Sequence, residues 1–517
     1  MLVRICGFAR SGVAPFAAAV VAVLIIAGGT ARASTLRVPS QYGTIQQAIA
    51  TAQQGDTVLI APGTYTGTGN RDISLAGKAI VVRSEQGAEV TILDVEGTPE
   101  LGHRGFHISA GEGPSTVIEG LTIRGGYEPG TGGAGIFCDY TSPTIRDCVV
   151  ADNFVSLTGE GGGGILLWSS NSLIEGCTIR GNTASYGGGI ACRLGSSPTI
   201  RDCRIYENSG GYGGGIDCGG TGAPRIVDCD IRGNDARNGL DDSGWGGGLL
   251  LGGDAVVTGC VVAGNVSGLG AGITSYGGHN LVERTTIAGN DAWIWQGGGI
   301  VSMNSSLTIV GCVVAGNCAA VGPSILASYG TIHLSCSVAD SQAVSISGGE
   351  IFDEGGNRFE DPHFCGPALC TDAPTLDGDY TVSRQSACFP DLSACQSWVG
   401  ALGAGCPAAA IPPDGSEEAS GRRLLLAPPW PNPSPGEVQL TLALPEAERV
   451  RLRIVTAEGK IAATLVDREL AAGAHTFRWQ AGGEGVSPRL PGGVYFVQLF
   501  LPGSGIEESR AVVLLPR

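Results

Sequence analysis

The stretch GGGIDCGGTGAPRIVDCDIRGN, residues 213–234, decides how this chain folds, because the stretch before it, GGGIACRLGSSPTIRDCRIYEN at 187–208, follows the same plan. Its opening motif recurs as GAGIFC, GGGILL, GGGLLL, GAGITS and GGGIVS, with the lead apolar residue at Ile136, Ile165, Ile190, Ile216, Leu249, Ile273 and Ile300. The steps run from 24 residues (Leu249 to Ile273) to 33 (Ile216 to Leu249). Such spacing belongs to solenoids that lay down one supersecondary unit per coil. Further along each repeat comes a second element, for example TIRDCVVADN at 144–153 and LIEGCTIRGN at 173–182. It alternates apolar and polar residues with period two, as a strand with one buried face must. Each repeat is predicted to hold at least two short strands and no helix.

Aligning the second element puts Cys148, Cys177, Cys203, Cys229, Cys260, Thr285, Cys312 and Cys336 in one column. Asn153, Asn182, Asn208, Asn234, Asn265, Asn290 and Asn317 form another. If each repeat is one coil, like residues stack about 4.8 Å apart, so the small apolar side chains fill a narrow interior and the Asn amides can hydrogen-bond from coil to coil. Asn also tolerates the left-handed backbone of a corner. The glycines ahead of each first strand mark the opposite corner, where positive φ or close backbone approach excludes a Cβ. Read as metal ligands, the cysteines lack the CxxC pairs and convergent histidines of a zinc site, so no metal is expected and they are taken as core thiols.

The flanks differ from the coils. Arg4 and Arg10, the apolar run Val13–Ala27 and the small-x-small site Ala31-Arg32-Ala33 read as an export signal over 1–33. Ile45, Ala48, Ile49 and Ala52 give a short helical pattern that caps the solenoid, which is expected to fill 34–407 with its regular coils at about 130–340. A closing segment at 358–407 is rich in cysteine, and a linker at 408–424 leads to alternating strands over 425–517 that predict a small β-sandwich. The fold class is therefore all-β. Losing Cys6 with the signal leaves sixteen of the 17 cysteines for an oxidising compartment. The net charge of −17 argues against nucleic acid, which is held mainly by Lys and Arg. No segment of the mature chain is long and apolar enough to predict a membrane span.

These residues carry a resemblance. The segment IQQAIATAQQGDTVLIAPGTY with the coils after it resembles the pectin lyase-like superfamily of right-handed parallel β-helices, and the paired GG[GA]I and [VI]xxN elements look like the repeats of chlamydial polymorphic outer membrane proteins. Asp361-Pro362, Gly378-Asp379-Tyr380 and Gly400-Ala401-Leu402-Gly403 are similar to the closing segment of many secreted bacterial β-helix proteins. The resemblance spans about residues 36–407. It implies the fold and leaves the activity open, because the superfamily holds lyases, hydrolases, esterases, adhesins and inert scaffolds. Pro431-Asn432-Pro433, Ala472-Gly473, Trp479 and Gly493-Val494-Tyr495-Phe496 resemble the Ig-like domain of the flagellar hook-capping protein, itself similar to type IX sorting domains. That resemblance implies a partner in export or surface-attachment machinery.

The sequence holds no GxSxG, HExxH or P-loop motif. Asp202 and Asp228 share a column and are an acid pair of the kind glycoside hydrolysis needs, or else a solvated charge ladder. Of the polygalacturonase set, Asp241-Asp242 is present while Gly278-His279-Asn280 departs from Gly-His-Gly. Function on solenoids gathers where loop length varies, and here that is between each column Asn and the next glycine corner. Those loops carry Tyr186, Tyr212, Asp235, Arg237, Asp241, Asp242, Trp245, Asp291, Trp293 and Trp295, a candidate ligand edge on which Trp245 and the Trp293 loop are expected about 10 Å apart. Aromatic faces flanked by carboxylates and a guanidinium suit an extended sugar chain. The competing role is to shield the glycine corners.

The expectation is an exported or surface-attached β-helix that binds extracellular polysaccharide or a cell-surface glycan. A polysaccharide lyase or glycoside hydrolase is the alternative, and a structural stalk the third. No cofactor is expected, Ca2+ entering only under the lyase alternative. In the closing segment Cys365 with Cys370 and Cys388 with Cys395 are the simplest disulfides, and one cysteine there should reach Cys336 or Cys318.

Overall fold

The computed structural model describes residues 33–156, 159, 161–237, 244–340, 344–406, 437–444, 447–456, 460–471, 473–480, 493–501 and 506–514. The export signal up to residue 32, the linker and Asp241-Asp242 lie outside them. A strand at Thr35–Val38 opens the solenoid, followed by the helix Ile45–Thr51, whose Thr44 hydroxyl caps it by accepting from the Gln47 amide and whose Ile45, Ala48 and Ile49 are buried. Three long parallel sheets then run the length of the coils. One has thirteen strands from Thr35–Val38 to Glu350–Gly355, one twelve from Gly63–Tyr65 to Arg358–Phe359, and one ten from Phe106–Ile108 to Val344–Ser347.

Like residues stand in register from coil to coil: Ile200 beside Ile226, Ile205 beside Ile231, and Ile190 beside Ile216, all with no exposed surface. The second element of each repeat is not one strand. Thr199–Arg201 and Arg204–Tyr206 belong to different sheets, because Asp202 takes φ 54° and turns the chain between them. Asp147, Gly176, Asp228 and Gly259 turn the other coils in the same way. The left-handed residue at the next corner is likewise not the Asn but its predecessor, Asp152, Gly181, Glu207 or Gly233.

The Asn residues are freed by that geometry to point inward. The side chain of Asn208 donates to Oδ1 of Asn234 (3.0 Å) and to the Ile179 carbonyl (2.9 Å), while its own Oδ1 accepts from the side chain (3.0 Å) and backbone (3.1 Å) of Asn182. The same exchange runs from Asn153 through Asn182, Asn208, Asn234, Asn265 and Asn290 to Asn317. Every one of these amides is buried, so the ladder satisfies groups that would otherwise be costly. Cys148, Cys177, Cys203, Cys229, Cys260 and Cys312 fill the interior as free thiols, and burial pushes Cys312 up to about 12. Ser337, not Cys336, continues their column, accepting from the Cys312 amide at 3.1 Å. Cys336 stands one residue earlier, at the left-handed corner.

That offset explains a second correction. Cys336 bonds Cys395, Cys318 bonds Cys370 and Cys365 bonds Cys406, replacing the short pairs Cys365–Cys370 and Cys388–Cys395. Cys388 is a buried free thiol, raised by burial to about 11. The closing segment lies along the outside of the last coils of the twelve-stranded sheet: Val382, Cys388 and Val399 pack on Val313, Ala315 and Val338, and Tyr380 on Val261, Ala263 and Ala288. In such a flap Cys370 and Cys395 reach coils, while Cys365 reaches the far end of the flap at Cys406.

The C-terminal unit pairs Glu437–Leu444 with Gly473–Gln480 and sets Ile461–Leu470, Glu448–Thr456, Gly493–Leu501 and Ile506–Leu514 in a second antiparallel sheet. Leu440 and Trp479 from the first and Leu452 and Val497 from the second share one core.

Candidate functional site

Between the Asn corner and the glycine corner the successive connections stay in register: Thr183, Ser209, Asp235 and Val266 form one row, and Tyr186, Tyr212, Trp245 and Leu269 another. The second row gathers aromatic rings. Tyr186 and Tyr212 stack with centroids 5.1 Å apart, Trp245 meets Tyr212 edge-on at 5.6 Å, and Tyr276 lies 5.6 Å beyond Trp245. The glycine corner makes room for them. Gly213 takes φ 62°, and a Cβ on it or on Gly214 would strike carbonyl oxygens of its own or the next coil.

A groove of about 500 Å³ runs beside this row, lined by Tyr186, Arg193, Tyr212, Asp217, Trp245 and Tyr276. Arg193 ends the strand Ile190–Arg193, and Asp217 sits in the middle of Ile216–Cys218 on the next coil. The guanidinium donates to the Asp217 carboxylate at 2.7 Å and lies 5.1 Å over the Tyr186 ring. Asp217 is 2% exposed and also accepts from the Gly219 amide. Burial works against the charge on Arg193, but the attraction of Asp217 and their hydrogen bond outweigh it and leave the guanidinium pKa above its usual value. The groove thus combines ring surfaces with a polar pair of no net charge, a mixture that fits a polyhydroxylated neutral ligand better than an ion.

Arg193, Asp217 and Tyr276 were not among the residues expected from sequence. The signal for Asp217 was available: in the other coils its position holds Phe137, Leu166, Ala191, Leu250, Thr274 and Val301. A carboxylate in that column needs a partner, and Arg193 supplies it.

The other expected residues divide. Asp235 pairs with Arg237 at 2.7 Å and lines a separate cleft of about 260 Å³ against Pro374, Thr375 and Leu376. Asp291 follows Val266 in the Asp235 row, and burial pushes its carboxyl up while Arg237 pulls it down. Trp293 does not continue the row of Trp245. That row passes through Leu269 to Gln296, and the break in register between Ala292 and Gln296 throws Trp293 out of it, 51% exposed. Trp295 lies in the same strand, but its side chain is outside the described set. Asp202 is raised by burial and then by the neighbouring Asp228, and both occupy left-handed corners away from the groove lining. Among the described residues, no three His, Cys, Asp or Glu side chains gather as a metal site. A larger space of about 670 Å³ lies under the closing segment, lined by Cys365, Cys370 and Cys406 of its cross-links together with Asp361 and His363.

A family model for a right-handed β-helix region matches residues 78–251 and 214–378. No curated protein matches the chain in sequence. Among solved structures, an alginate lyase from Paenibacillus sp. str. FPU-7 aligns at 16% identity over 63% of this chain and 98% of that one, with a TM-score of 0.22.

Proposed function

The chain belongs to the right-handed β-helix family, and on that premise we propose that it binds an extended neutral glycan, extracellular polysaccharide or cell-surface carbohydrate, along the groove beside Tyr186, Tyr212, Trp245 and Tyr276. The observation that carries this reading is the aromatic row set against the pair of half-buried Arg193 and buried Asp217. Sugar rings offer apolar faces for such side chains and hydroxyls for such a pair. A net charge of −17 repels polyanionic chains at long range. Hydrolysis calls for two carboxylates about 5 to 9.5 Å apart, whereas among the described lining residues Asp217 is the one carboxylate and is held by Arg193. Binding is therefore favoured over hydrolysis. The three disulfides suit an exported protein, and the C-terminal sandwich would serve its attachment.

A glycan array probed with the full chain tests this. Retention on at least one class of neutral glycan, weakened by Tyr276→Ala, is expected. Failure to retain any glycan would overturn the reading, and release of new reducing or unsaturated ends from the retained polymer would replace it with the lyase or hydrolase alternative.

A further inference from the structure

The interior holds a second set of sulfurs, in the ten-stranded sheet. Cys192 and Cys218 occupy adjacent coils there, 3% and 2% exposed, with their Sγ atoms 2.8 Å apart. Two non-bonded sulfurs cannot rest comfortably at that separation, which lies well inside contact distance and about 0.8 Å beyond a covalent bond. The thiols of the other column are arranged differently. Cys177, Cys229 and Cys260 each approach a backbone carbonyl of the preceding coil at 3.6 Å, and Cys148 and Cys203 do so at 3.7 Å. Cys177, Cys203 and Cys229 also interact with the thiols above and below them, but it is Cys192 and Cys218 whose sulfurs close to 2.8 Å.

We propose that Cys192 and Cys218 form a fourth disulfide, a staple between two adjacent coils directly behind the groove. Both thiols lose their protons and together give up two electrons. The acceptor is another disulfide, by thiol–disulfide exchange, which is reduced to two thiols. The three disulfides already in the chain call for the same class of oxidant. Exchange takes place before the coils close, while the thiols are open to attack. The staple adjoins both partners of the ion pair, Arg193 following one cysteine and Asp217 preceding the other. It does not depend on what the groove binds.

The test is a peptide map of the full chain, exported under oxidising conditions, alkylated in denaturant without reductant and digested at acidic pH. A cross-linked peptide pair joining Cys192 to Cys218, with the other eight free cysteines of the described residues alkylated, is the expected result. Recovery of Cys192 and Cys218 as alkylated residues, or of either one bonded elsewhere, overturns the proposal. Because the unaltered protein is mapped, no variant has to fold. As a second readout, Cys192→Ser should leave Cys218 alkylated under the same conditions; a Cys218 still blocked would also overturn it.

Discussion

The regular coils and the closing segment solve the same problem in opposite ways. Both must hold short extended pieces with little local structure of their own. In the coils each piece is covered above and below by a copy of itself, so one Asn amide per coil can satisfy its neighbours and six thiols can stay reduced in the core. The closing segment has no copy to stack on. It lies across the last coils on an apolar patch, is tied there by Cys318–Cys370 and Cys336–Cys395, and is closed on itself by Cys365–Cys406. Along the Asn ladder repetition does the holding, and where repetition stops Cys318–Cys370 and Cys336–Cys395 take over.

The sharpest way to break this comparison is at the middle of the ladder. Asn208→Ala strips the acceptor from two donors of Asn182 and the donor from the Ile179 carbonyl, and should cost about 3–4 kcal/mol in urea unfolding. An effect below about 1 kcal/mol would mean that stacking alone holds the coils. Cys336→Ser comes next, with an expected loss of about 2–3 kcal/mol. Hydrogen exchange should then rise across 358–406 while the coil strands keep their protection. Loss of protection throughout would make the cross-links structural for the solenoid as well. Cys312→Ala, which empties interior volume and removes weak thiol contacts to the Val282 and Val310 carbonyls, should cost about 1 kcal/mol in the same unfolding assay.

The smallest effect concerns the corners. Burial and Asp228 raise the Asp202 carboxyl in the folded chain, so folding binds that proton more tightly and stability at this residue is gained as pH falls through its raised value toward the ordinary one. Asp202→Asn should therefore stabilise the fold slightly at neutral pH, by about a few tenths of a kcal/mol in urea unfolding after solvent screening, and the difference should shrink toward pH 4. A difference that grows in acid would reverse the assignment.

Much of the coil was legible because it is written again and again: the glycine corners, the Ile registers and the inward Asn and Cys columns all stand at fixed offsets. The third strand of each coil was not, since the alternation reads as continuous unless the three-residue step from Ile200 to Cys203 is counted as a corner. The covering of the last coils was also written, in the change from DCRIYEN to GCVVAGN, where the outward position turns from Arg204 to Val261 and Val313. At the groove, Tyr186, Tyr212 and Trp245 could be picked out from loop position. Asp217 could be picked out only as a carboxylate in an apolar column, and Arg193 and Tyr276 could not, because they come from strand positions and meet the loop rings only when neighbouring coils are stacked.

If the ladder carries the fold, the aromatic row is left free for the proposed sugar. Calorimetric titration of the full chain and of Trp245→Ala with the glycan best retained on the array tests it most directly. A roughly tenfold or greater loss of affinity, about 1.4 kcal/mol, is predicted. Unchanged affinity together with a lowered melting temperature would contradict it and leave Trp245 as a cover for the glycine corner.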